Sequence, residues 1–69
     1  MQKYTITKDN SDGSREVVWE GTCTLEELRE EFEQVIVAQQ VIYRASNHTI
    51  KWRVIRVFDE QGNQIAQES

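Results

Sequence analysis

A chain of 69 residues has room for one domain around one modest core, and 12 acidic against 8 basic residues give a net charge of −4 that opposes non-specific attraction to nucleic acid or anionic lipid. The single cysteine, Cys23, excludes an internal disulfide and with it a stapled secreted scaffold, so a reducing, cytoplasmic setting is expected. No apolar run approaches membrane-spanning length, the residues after Met1 lack the charged-then-apolar pattern of a leader, and with no proline and three glycines little of the chain reads as linker.

Gln2 to Lys8 alternates, with Tyr4 and Ile6 on one face and Lys3, Thr5 and Thr7 on the other, the period of a half-buried strand. Asp9-Asn10-Ser11-Asp12-Gly13 is made of turn residues, and Arg15 to Glu20 supplies a second strand in which Val17 and Trp19 share a face. An antiparallel hairpin that sets Ile6 across from Val17 and Tyr4 across from Trp19 buries all four together. Gly21 then breaks the strand.

The segment from Thr22 to about Gln40 is the one long helix. Thr24 is placed to cap it, Glu27 closes a capping box, and Cys23 and Leu28 stand at the two positions of a hydrophobic staple. Leu25, Leu28, Phe32, Val35 and Ile36 recur at helical spacing as an apolar stripe, while Glu26, Glu27, Glu30, Glu31 and Glu33 fall on the other side. The end of the helix stays open between Val35 and Tyr43, because Val35-Ile36-Val37 is β-branched and Val41-Ile42-Tyr43 would also suit a strand. Gln39 and Gln40 are the expected fraying point.

Arg44 to His48 reads as a loop, and Thr49 to Phe58 as a long strand with Ile50, Trp52 and Val54 on one face. The alternation changes phase after Val54, where Ile55 and Val57 become the apolar pair. Either both faces are covered there or a β-bulge moves the sidedness by one residue. Asp59-Glu60-Gln61-Gly62 suits a type I turn followed by a left-handed residue, Asn63 to Ala66 returns as a short strand, and Gln67 to Ser69 should fray. The order strand, strand, helix, strand, strand predicts an α+β fold: one four-stranded antiparallel sheet with an amphipathic helix across one face. The expected core is Tyr4, Ile6, Val17, Trp19, Leu25, Leu28, Phe32, Ile36, Trp52 and Val54.

Groups for catalysis are sparse. His48 is the lone histidine, in a loop between Asn47 and Thr49, and reads first as an ordinary surface residue. Cys23 gains from the helix dipole but is opposed by nearby glutamates, so its expected job is the staple rather than nucleophilic chemistry. No zinc spacing, phosphate-binding glycine loop or calcium motif is present, which points to a non-enzymatic protein without metal or cofactor.

Two surfaces remain. Five glutamates surround Arg29 within eight positions of the helix. Glu26 and Glu33 can each pair with Arg29 and leave a solvated face, but the unpaired like charges at i and i+4 oppose helix formation by a few tenths of a kcal/mol each, ~0.2–0.5. A basic surface on another protein, such as one that otherwise holds nucleic acid, is the natural counterpart. Arg44, Lys51, Arg53 and Arg56 form the opposite kind of stretch, interleaved with Tyr43, Trp52 and Phe58, as in a nucleic-acid-binding sheet. Strand alternation sets Lys51 and Arg53 away from Trp52, which favours cations that discourage edge pairing. In size, acidity and lack of catalytic groups the chain resembles, as a class, small phage-encoded inhibitors of bacterial defence such as anti-CRISPR proteins. What that resemblance implies is a protein-binding inhibitor. The alternatives are a small nucleic-acid-binding domain using the basic strand, and a homo-oligomer formed through an exposed strand or the Val35 to Ile42 region.

Overall fold

The computed structural model describes all residues from Met1 to Ser69. Strands β1 (Gln2–Asn10) and β2 (Arg15–Cys23) precede helix α1 (Leu25–Ala45), and β3 (Trp52–Phe58) and β4 (Gln64–Glu68) follow it. The strands form one antiparallel sheet in the order β2-β1-β3-β4, and α1 packs across one face against β2 and β3, so the α+β architecture is as expected. Each hairpin contributes its first strand to the middle of the sheet and its second to an edge.

The turns close as their residues dictate. Gly13 takes the left-handed conformation at φ +90°, and its N–H donates to the Asn10 carbonyl at 3.0 Å. In the second hairpin the Asp59 carboxylate accepts from the N–H groups of Gln61 (3.0 Å) and Asn63 (2.8 Å), with Gly62 at φ +86°.

The register of the first hairpin differs from expectation. Ile6 pairs with Trp19, Tyr4 with Gly21 and Thr7 with Val17, so Val18 is the extra residue at a register shift. Trp19 and Val18 therefore both pack on the helix side, and Val17 turns to the open side, where it is 59 % exposed. Gly21 does not end the strand. It lies within β2 beneath the Trp19 indole, and a Cβ there would stand 2.9 Å from the ring.

In β3 the change of phase is a bulge. Asp9 pairs with Val54 and Asn10 with Trp52, which leaves Arg53 as the extra residue and brings Trp52, Ile55 and Val57 to the helix side. Val54 is thus on the open face, outside the core it was expected to join, and Ile50, expected on the same strand face as Trp52, lies before the strand. β4 carries a third shift at Ile65 and runs on to Glu68, because Gln67 and Glu68 pair with Arg56 and Ile55 instead of fraying.

The core is Tyr4, Ile6, Cys23, Leu28, Ile55 and Val57, with Val18, Trp19, Phe32, Val35, Ile36 and Trp52 packed around it. Leu25 is not part of it. It is the first residue of α1 and is 67 % exposed.

Helix α1 begins as its first residues require. Thr24 Oγ1 accepts the Glu27 N–H at 3.2 Å, and Glu27 Oε1 accepts the Thr24 N–H at 3.0 Å. Cys23 and Leu28 are both buried, as the staple requires. The helix passes through Gln39 and Gln40 to Ala45, because Gln39 faces the sheet and is held there. Its side-chain carbonyl accepts a hydrogen bond from Lys8 Nζ at 3.2 Å, and the same ammonium pairs with Glu16 at 3.1 Å. Inward packing of Val35, Ile36 and half-buried Tyr43 overrides the weak helix preference of the β-branched residues. The end is a Schellman closure: Asn47 sits at φ 57°, the His48 N–H donates to the Tyr43 carbonyl at 2.8 Å, and the Asn47 N–H donates to the Arg44 carbonyl at 3.2 Å.

Candidate protein-binding face

Because Leu28, Phe32, Val35 and Gln39 turn inward, helical geometry directs Glu26, Glu30 and Glu33 outward. All three are exposed. The five glutamates nevertheless differ in what they can do. Glu27 is committed to the capping box, where the hydrogen bonds from Thr24 hold its carboxyl below the ordinary range. Glu31 is half-buried beside the core and raises the Cys23 thiol pKa together with Glu27, although burial of the thiol is the larger cause. Burial and these carboxylates favour Cys23 as a neutral thiol in the staple.

The pairing of Arg29 with Glu26 and Glu33 does not form. The ion pairs of the protein are Lys3–Glu20, Lys8–Glu16, and the two that Asp9 makes with Arg15 (2.8 Å) and Arg56 (3.1 Å). All four hold the sheet together, and none neutralises the outer face of α1. Arg29 instead borders a groove of about 390 Å³ between the helix start and the β3–β4 hairpin, lined by Leu25, Leu28, Phe32, Val57 and Ile65.

Outward residues beyond Glu33 were not singled out from the sequence. Glu30, Glu33, Gln34, Val37 and Ala38 line a shallow, wide-open depression on the outer side of α1. Val37 and Val41 are each 57 % exposed there. The signal was available in the recurrence of Gln34, Ala38, Val41 and Ala45, but ending the helix near Gln40 concealed it.

The basic stretch is dispersed. Arg56 lies on the open face of the sheet, its guanidinium held by Asp9, Gln64 (2.8 Å) and Gln67 (3.4 Å). Asp9 in turn has its carboxyl pulled below the ordinary range, first by the hydrogen bond from Arg15 and then by Arg56. Lys51 stands 5.6 Å from the Tyr43 ring centre, Arg53 occupies the β3 bulge, and Arg44 lies in the last turn of α1. Trp52 packs toward the core, Tyr43 stacks on His48 at 4.7 Å, and Phe58 lies under Arg15. Of the stretch only Lys51 and Arg53 stay together, lining a depression with Trp52, Ser11 and Ser69, while Tyr43 and Phe58 are engaged elsewhere, so no row of neighbouring aromatics results.

No group of three or more His, Cys, Asp or Glu side chains gathers as a metal site, and no helix is long and apolar enough to cross a membrane. Compared with protein-family models, curated proteins and solved structures, the chain matches none.

Proposed function

We propose that this protein is a non-enzymatic binding module that docks a basic surface of another protein on the outward acidic half of α1, in a reducing, cytosolic setting. The supporting observation is that Glu26, Glu30 and Glu33 project from a rigid, capped helix with no cation of their own chain to answer them. Carboxylates fixed in this way keep their mutual repulsion until a partner supplies arginine or lysine, so complementary charge steers encounter and selects the partner. A small inhibitor of a host defence complex works through such a surface when its carboxylates occupy a site that otherwise takes phosphates.

The test is affinity capture from host lysate with the wild-type chain and with the Glu26→Lys, Glu30→Lys, Glu33→Lys variant. Three rim pairs at roughly 0.5 kcal/mol each amount to about tenfold in affinity, and reversal adds repulsion to that loss. Depletion of the captured protein by more than about tenfold supports the reading, and undiminished capture removes the helix from the mechanism. All three positions are exposed, so a far-UV circular dichroism spectrum like that of the wild type is expected of the variant.

A further inference from the structure

On the side of α1 away from the sheet, Gln34, Ala38, Val41 and Ala45 recur at spacings of four, three and four. That is the spacing of a helix-pairing seam, with Val37 beside it, and every one of these residues is exposed. Small and β-branched side chains in a row allow a second helix close approach. The charges flanking the seam are asymmetric. Glu30 and Glu33 stand at its N-terminal end and Arg44 at its C-terminal end, on the same flank.

We propose that two copies of the chain pair through this face, helix against helix and antiparallel, about a two-fold axis near Val37 and Ala38. A perpendicular two-fold sets each flank against the same flank of the second copy and reverses its direction. Val41 then meets Gln34 of the second copy, and Arg44 lies between Glu30 and Glu33 of the second copy. The parallel arrangement, about a two-fold along the helices, would set each flank against the opposite flank of the second copy and leave Arg44 without a carboxylate to meet, so the charge pattern itself selects the antiparallel one. One helix face per partner is smaller than the ~800 Å² of a standard interface, so the dimer should dissociate in roughly the micromolar to hundred-micromolar range. The pairing goes beyond the binding of a foreign partner and competes with it, because Glu30 and Glu33 are engaged in the dimer and only Glu26 of the three outward glutamates stays free.

Sedimentation velocity of the purified chain from about 5 to about 500 µM tests the pairing over the range in which it should dissociate. The expected result is a mass rising from the 8.1 kDa monomer toward twice that value. Val41→Lys should raise the midpoint concentration at least about tenfold, and Arg44→Glu by about tenfold. Combining Arg44→Glu with Glu30→Lys and Glu33→Lys should return it to within about threefold of the wild type. Ala38→Cys should form a disulfide-linked dimer on mild oxidation, while buried Cys23 stays silent. A wild-type chain monomeric throughout, a dimer indifferent to Val41→Lys, or a charge exchange that fails to restore pairing would each overturn the proposal. A chain that stays monomeric yet captures a partner through its glutamates overturns the pairing alone.

Discussion

Replacing Gly21 by alanine reverses a general expectation. In a strand, alanine is ordinarily favoured over glycine by about 0.5–1 kcal/mol, because glycine loses more backbone freedom on folding. Here the new methyl would lie 2.9 Å from Trp19 Cζ2 and 3.0 Å from Cη2. Real Cβ atoms do not approach that closely, so the indole must move. Trp19 is opposite Ile6 and packs against the core, which makes its displacement an overpacking event of about 1–3 kcal/mol. The net expectation is destabilisation by about 1–2 kcal/mol, a large share of the stability of so short a chain. Urea denaturation followed by far-UV circular dichroism reads this as a midpoint lowered by about 1 M or more, with slopes near 1 kcal/mol/M. In a Trp19→Leu background the clash is gone, and Gly21→Ala should become neutral or favourable. A midpoint that is unchanged or raised in the single variant would refute the close packing of the ring on the glycine.

Thr24→Ala removes the cap acceptor for the Glu27 N–H and should lower stability by about 1 kcal/mol in the same denaturation assay. Thr7 is buried with its hydroxyl unpartnered, so Thr7→Val should stabilise by roughly 0.5–2 kcal/mol, and a loss would indicate that the hydroxyl finds an acceptor. Gln39→Ala withdraws the carbonyl that holds Lys8 and should cost about 1.5–3 kcal/mol, as for hydrogen bonds to charged groups. Cys23 has its pKa raised by burial and by Glu27 and Glu31, so the fold favours the neutral thiol. That contribution is complete below the unfolded thiol pKa, about 8.5, and is lost as pH rises through the higher folded value. A urea midpoint that falls between pH 8 and pH 10, together with thiol-reagent labelling far slower in the folded chain than in urea, is the expected outcome.

The helix entrance was legible because capping is local: Thr24, Glu27, Cys23 and Leu28 interact within one turn of each other. Both hairpin turns were legible for the same reason, through Gly13, Asp59 and Gly62. Strand sidedness was not, since one extra residue inverts every side chain beyond it. The run Val17-Val18-Trp19 held a trace of the first bulge, because three consecutive apolar residues cannot all obey alternation. Assigning Val17 to the core ignored it. In β3 the phase change was visible at Val54, but the extra residue is Arg53, and only the pairing with Asn10 decides this. The extent of α1 was hidden because its last turns depend on what Gln39 and Tyr43 meet across the chain. Of the acidic face, Glu26, Glu30 and Glu33 were placed outward by periodicity alone. That Glu27 is occupied by the cap was already written in its spacing from Thr24, whereas the half-covering of Glu31 required side-chain positions.

The pairing of β1 with β3 joins residues as distant as Asp9 and Arg56, whose side chains meet across 47 positions of sequence. Each hairpin can zip from its own turn, yet the central seam must wait until the helix segment and the third strand have been synthesised. During synthesis the inner edge of the first strand therefore stays bare until the third strand has followed it. The interval in which this small protein is vulnerable to sticking is set by the delay before Ile55 and Val57 arrive to cover Ile6.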